Sequence, residues 1–156
     1  MKGHKPSTAL ERFKRNVDTE EYKKIRDTWE RHVDLEAGGY FEQAVQETMI
    51  EDCVYELVET GQSWQGHEGA MAFYDIFRKA FPDPEWELLD IAVGPQGVLG
   101  IANMTAKQGG PFHNFDRIGH TVHGRIINMF TWDPKAQMFA GERVHYLGPW
   151  PPGSKP

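Results

Sequence analysis

With 156 residues, 23 acidic against 17 basic side chains and a net charge of −6, the chain has the size of one domain able to bury about two thirds of its unfolded surface. That charge balance works against nucleic acid and against anionic membrane, both of which require concentrated positive charge. A single cysteine, Cys53, can form no internal disulfide, which suits a reducing compartment, so a cytoplasmic location is expected.

Met1–Thr8 carries lysine and histidine with no apolar core after it, and no later apolar run approaches a membrane span. Neither a signal peptide nor a spanning helix is expected. Residues 1–18 read as a basic N-terminal arm or short helix with only Leu10, Phe13 and Val17 to pack. Thr19, followed by Glu20 and Glu21, is an N-cap candidate with acidic residues in the first turn. The helix that follows stops at Gly38-Gly39 and places Tyr22, Ile25, Trp29 and Val33 on one face. A shorter helix over Tyr40–Thr48 turns Phe41, Ala44 and Val45 inward, and a strand over Cys53–Thr60 sets Tyr55, Leu57 and Glu59 on one face. Gly61 breaks that strand, and Ser63–Gln65 returns as a short hairpin partner.

A third helix runs from Gly66 to Phe81, with Ala70, Phe73, Phe77 and Phe81 at helical spacing and Pro82 as its stop. Three long strands come next, Glu85–Val93, Gly97–Lys107 and Thr121–Trp132, and a last one, Met138–Leu147, follows the turn at Asp133–Ala136. Residues 148–156 form a Pro-rich tail. Helices first and then a meander of long strands predict an α+β fold: a cone-shaped α+β barrel, with the helices packed into a strongly curved mixed or antiparallel sheet around a central pocket. Trp29, Phe41, Trp64, Phe73, Phe77, Phe112, Phe115 and Trp132 are the aromatic candidates for its lining, although such a stripe more often serves as plain core. The open sheet face, bearing Ile126, Phe130 and Trp132 or their opposite set, would leave much apolar surface in water, for which a homodimer is the expected remedy.

The first long helix carries an anomaly. His32 and Glu36 share the face of Tyr22, Ile25, Trp29 and Val33, while Lys, Arg, Asp and Glu residues take the solvated side. Four apart on a helix, an imidazole and a carboxylate can bond each other while both point inward, which is costly unless they are satisfied. Such a pair either holds the helix against a sheet or performs chemistry.

Several local patterns occur in a recognisable order. They are the His32–Glu36 pair, Val54-Tyr55-Glu56 before Thr60-Gly61, and Gly66-His67-Glu68 opening a helix through Phe73-Tyr74 to Phe81-Pro82-Asp83. Gly110-Pro111-Phe112, Gly124-Arg125 and Gly141-Glu142-Arg143-Val144-His145-Tyr146 follow. Over about Glu20–Leu147 the chain resembles the nuclear transport factor 2-like superfamily, in particular its SnoaL-like polyketide cyclase branch. The resemblance implies a SnoaL-like domain over residues 19–147. It also implies a cofactor-independent lyase, isomerase or cyclase using acid–base chemistry on a small hydrophobic, carbonyl-bearing, polyketide-like metabolite. The acid or base Asp that SnoaL-like cyclases carry at the end of the last strand is matched here by Leu147, and the segment before Gly124 reads His120-Thr121-Val122-His123, with His123 near the expected pocket mouth.

Proton transfer next to a carbonyl requires a base with a pKa near working pH and a donor for the enolate oxygen. His32 is the expected general base and Glu36 its orienting partner, with His145, on the face of Leu147, as a second acid or base and Tyr55 or Arg143 as electrophilic support. A non-catalytic ligand-binding or dimerisation module of the same fold is the alternative, and a metal-dependent variant using His32, Glu36 and His145 a second one. No cofactor and no metal are expected in the leading case. Two further imidazoles, His113 and His120, sit with Asp116 in a loop, where solvation is the ordinary state.

Overall fold

A computed structural model describes residues 8–151. Lys2 and Lys5 of the expected arm and residues 152–156 of the expected tail lie outside the described residues. The elements are α1 Thr8–Phe13, α2 Thr19–Ala37, α3 Phe41–Thr48, β1 Met49–Leu57, β2 Gln62–Gln65 and α4 Gly66–Ala80, followed by β3 Glu85–Gly94, β4 Gly97–Lys107, β5 Thr121–Asp133 and β6 Met138–Leu147. Among the described residues no helix is long and apolar enough to cross a membrane.

The cap of α2 is Asp18 and not Thr19: its carboxylate accepts from the Glu21 backbone N–H at 2.8 Å. Glu21 then ties the helix start to the sheet, accepting from Arg15 Nη1 at 2.8 Å and from the Trp132 indole N–H at 3.0 Å. The Arg15 bond, against the opposing effect of burial, holds the Glu21 carboxyl below its ordinary pKa. The inward face of α2 is also rotated from the expected one. Ile25, Thr28, Trp29, His32 and Leu35 are buried, whereas Tyr22 is exposed and Val33 half-buried. At ~100° per residue this arc is centred on His32, so the imidazole occupies the middle of the buried stripe and not its margin.

The six strands form one mixed sheet in the order β2-β1-β6-β5-β4-β3. All neighbouring pairs are antiparallel except β1 with β6, which run parallel because α4 and the β3–β5 meander intervene between them. The sheet does not close: β2 and β3 are free edges, so the architecture is a helix-filled α+β cone with an open seam. β1 begins at Met49, four residues before the expected start at Cys53, because Met49 already pairs with Phe139 ahead of an irregularity in the register.

α4 packs on β1 and β2, and α2 packs on α3. Strand alternation turns Tyr55, Leu57, Val98, Met104, Val144 and Tyr146 toward the helices. Of the two alternate sets on β5, the one holding Phe130 and Trp132 faces the core: both are 1% exposed, packed with Phe139 at ring separations of 5.4 and 5.3 Å. Burying each such ring contributes about 2–3 kcal/mol. The loop between β4 and β5 is pinned by Gln108, whose buried amide donates to Gly110 O at 2.8 Å and accepts from Arg117 N–H at 2.8 Å. That brace carries Phe112 and Phe115 into the core beside Phe81.

Gly141 stands where β6 meets β1. Its φ is +142°, and a Cβ there would lie 2.0 Å from the Val54 carbonyl oxygen. Gly141→Ala must therefore push the parallel pair apart beside its most buried carboxyl, Glu142. The expected cost is about 3 kcal/mol or more, read by circular dichroism as a melting temperature lowered by roughly 10 °C; an unchanged melt would contradict the close approach.

Candidate active site

Between α2, α4 and the concave sheet face lies a cavity of about 910 Å³. Its walls are aromatic: Trp29, Phe41, Phe73, Phe77, Trp86 and Tyr146. Phe77 is the hub, stacked on Trp86 at 6.0 Å and 22° and tilted against Tyr146 at 5.6 Å. Among these, Trp29, Phe41, Phe73 and Phe77 stand where the helix periodicities put them. Three polar groups enter the apolar wall: Glu36 from α2, Glu142 from β6 and Asn128 from β5.

His32 does not touch the cavity. It is fully buried behind Glu36, held at both ring nitrogens. Nδ1 lies 2.7 Å from Thr48 Oγ1, and the Thr48 hydroxyl gives its own hydrogen to the Ala44 carbonyl at 2.6 Å, so Nδ1–H is the donor. Nε2 lies 3.2 Å from Glu36 Oε1 and 3.2 Å from the Tyr74 hydroxyl. Tyr74 donates to Glu36 Oε1 in a short bond, and Tyr55 Oη lies 3.1 Å from Tyr74 Oη. Tyr74 has one hydrogen and has spent it on Glu36, so Tyr55 donates to Tyr74, and Nε2 meets two oxygens with no hydrogen to offer. The network is satisfied when Nε2 also carries a proton. The imidazolium form agrees with the electrostatics. Burial opposes the charge, but the Glu36 carboxylate, its hydrogen bond and the more distant Glu142 outweigh it, so the His32 pKa is raised.

Glu142 is the second half of the site. It is 5% exposed and accepts one hydrogen bond, from Asn128 Nδ2 at 3.0 Å. Burial first and the Glu36 charge second push its carboxyl up to about 8, against the opposing effects of His32 and Asn128. At neutral pH the group is mostly a carboxylic acid. Burial likewise raises Tyr55, Tyr74 and Tyr146 well above the ordinary phenol range, which keeps them as neutral donors. The two bonds to Glu36 converge on Oε1, and Oε2 carries neither. Two carboxyl groups, Glu36 and Glu142, thus face one apolar space, and burial keeps the proton on Glu142.

Several expected members lie elsewhere. Arg143 and His145 project from the convex face of β6, with Arg143 Nε 3.6 Å from Glu56 and His145 Nδ1 3.0 Å from Glu59. Leu147 shares that outward face. The inward set of this strand is Glu142, Val144 and Tyr146, because Val144 and Tyr146 are the residues that can fill the core. A carboxylate does reach the cavity from the last strand, at Glu142 and not near Leu147. His123 is on the convex face as well, bonded through Nδ1 to Thr105 Oγ1 at 2.9 Å. Trp64 and Phe112 line a separate cavity of about 490 Å³ with Leu57, Ile76 and Phe115. Tyr55 is fully buried and meets the site only through Tyr74. His32, Glu36 and His145 do not converge, so the three-ligand metal set has no geometric basis. Sequence reasoning missed Glu142, Tyr74, Asn128 and Thr48. For Glu142 a signal existed: strand alternation groups it with two core-forming residues, whereas Arg143 and His145 alternate with them.

The family profile described as SnoaL-like domain matches residues 26–133. No curated protein matches the chain. Among solved structures, a protein designated a SnoaL-like polyketide cyclase from Jannaschia sp. CCS1 superposes with a TM-score of 0.71 at 22% identity, covering 85% of this chain and 91% of that one. IdmH from Streptomyces antibioticus, designated a polyketide cyclase, gives 0.61 at 17% identity over 78% and 91% of the two chains. A protein designated a ketosteroid isomerase from Kribbella flavida DSM 17836 gives 0.58 at 12% identity over 85% and 84%.

The protonated Glu142 has a consequence for stability. In the fold it keeps its proton to about pH 8, while an unfolded glutamate releases it near 4.5. The native state therefore binds more protons across that window, and stability falls as pH rises through it. His32, raised above its ordinary 6.5, acts with the same sign: its contribution is complete below 6.5 and is lost as pH rises through the raised value. Glu142→Gln keeps the acceptor for Asn128 and removes the titration. The variant should melt like wild type near pH 5 and roughly 5 °C higher at pH 8.5; an equal shift at both values would mean that Glu142 is ionised throughout.

Proposed function

This chain belongs to the SnoaL-like domain family of the nuclear transport factor 2-like superfamily, and we propose that it is an acid–base enzyme of the isomerase, lyase or cyclase type acting on a hydrophobic, carbonyl-bearing substrate. The observation that carries the proposal is the pair of carboxyl groups lining one aromatic cavity, Glu36 beside an imidazolium and Glu142 holding its proton. The names of the structural neighbours, polyketide cyclases and a ketosteroid isomerase, describe chemistry of the same kind.

The substrate ring system lies in the cavity against the aromatic wall that Phe77, Trp86 and Tyr146 form together. Its carbonyl oxygen accepts from the Glu142 carboxylic acid, which steadies the enolate as charge develops. Glu36, through Oε2, removes the proton from the adjacent carbon, and the same proton returns at a new position or is lost with a leaving group. His32 is a positioning residue in this scheme. Locked by Thr48 at one nitrogen, it fixes Glu36 Oε1 with the other, so that the carboxylate meets the cavity in a single orientation. The roles are therefore exchanged relative to the sequence-based expectation: the carboxylate faces the substrate, and the imidazole stands behind it. Aromatic walls around a bound ring lower the local dielectric, which strengthens both contacts.

The test does not depend on which product forms. In D₂O, aryl ketones and β-diketones of polyketide type are screened by NMR for loss of the proton next to the carbonyl. Wild-type protein should exchange it faster than buffer, Glu36→Gln should lower the rate about 100-fold or more, and the wild-type rate should fall as pH rises past about 8, where Glu142 loses its proton. Exchange that ignores Glu36, or that grows steadily above pH 8, would remove these two residues from the chemistry.

A further inference from the structure

The mouth of the cavity has an electrostatic asymmetry that acid–base chemistry at its floor does not need. Asp34, Asp83 and Glu85 line it, and Arg78 is the one basic residue in the lining. None of the three carboxylates forms a salt bridge with a described residue, and neither does Arg78. The Arg78 guanidinium lies instead over the Phe41 ring, 5.0 Å from its centroid. That contact leaves its charge in place, so the mouth carries three carboxyl groups against one guanidinium. Trp29, Phe77 and Trp86 contribute aromatic wall to the same cavity. The Trp29 indole N–H is buried with no hydrogen-bond partner among the described residues, in a side chain that is 8% exposed.

We infer that the substrate class of this cavity is cationic: an aromatic ketone carrying a protonated amine at the end remote from its carbonyl. The inference rests on the reading of the cavity as a ligand site. A carbonyl oxygen satisfies donors in the interior, the ring fills the aromatic walls, and the ammonium group sits at the rim between the unpaired carboxylates and the aromatic faces. An ammonium is attracted by both features, since a ring face is electronegative and a carboxylate formally charged. An anion of the same shape meets three carboxyl groups and, against them, the single guanidinium of Arg78. Arg78 on Phe41 is the same contact made by the protein's own cation.

The experiment compares three ligands with one body and different ends: 4-(aminomethyl)acetophenone, 4-(hydroxymethyl)acetophenone and 4-acetylbenzoate, with dissociation constants measured by ligand-observed NMR at pH 7. The amine should bind at least tenfold more tightly than the carboxylate, with the alcohol between. In the double variant Asp83→Asn, Glu85→Gln, both exposed positions, that ratio should shrink about fivefold while the alcohol binds as before. Equal binding of amine and carboxylate, or a ratio unchanged in the double variant, overturns the cationic class and leaves the acid–base reading standing. If none of the three binds, the cavity is not a ligand site of this kind and both fall. An amine preference without deuterium exchange at the acetyl group would sink the acid–base reading alone.

Discussion

A charged imidazole at the centre of the buried face of α2 is the constraint to which much of the molecule answers. An isolated charge there would be prohibitive. It is tolerable because every hydrogen of His32 is placed: one on Thr48, whose own hydrogen is committed to the Ala44 carbonyl, and one toward Glu36 and Tyr74. Those partners come from α3, α2 and α4, so satisfying one side chain fixes three helices relative to one another. Tyr55 extends the chain of donors to β1. The same arrangement leaves negative charge facing the cavity, and that charge helps keep the proton on Glu142 across the way. The polar network that specifies the packing thus also reinforces the hold that burial gives Glu142 on its proton.

Much of this was legible in the sequence, for identifiable reasons. Gly, Pro and the switch from helical to alternating periodicity bounded the elements to within a few residues, and the inward pairing of His32 with Glu36 followed from their spacing alone. The direction of that pair did not. Whether the imidazole or the carboxylate meets the cavity depends on how far α2 is rotated about its axis, and that is set by Thr28 and Leu35, two residues with weak individual signals. The last strand is the reverse case. Alternation divided it correctly into two sets, but the choice between them was taken from a family position at Leu147, when the bulk of Val144 and Tyr146 already favoured the other. His123 went astray for the same reason, as a residue of odd parity on a strand whose even positions are the core-forming ones. Trp64 and Phe112 were placed in the cavity because aromatic residues were treated as equivalent, whereas the Gln108 brace and the β1–β2 hairpin commit them to a different space.

The sheet that carries the site is mixed, and its one parallel junction is also its tightest. Gly141 lets β6 approach β1 closely enough that a side chain there would overlap the Val54 carbonyl. Glu142 follows immediately. A carboxyl group held beside such a junction has little freedom to swing toward solvent, which is why its burial is nearly complete although it lines a cavity with an open mouth.

β3 is hydrogen-bonded to β4 along one side and to no strand along the other, and it contributes Trp86 and Leu88 to the cavity wall. The opposite wall is built from helices locked together through His32. The container is consequently asymmetric in stiffness: displacing β3 outward breaks no ladder on its far edge, while displacing α2 would dismantle a buried charge network. Compliance is therefore vested in the seam of the cone, and rigidity in the helical side that carries Glu36.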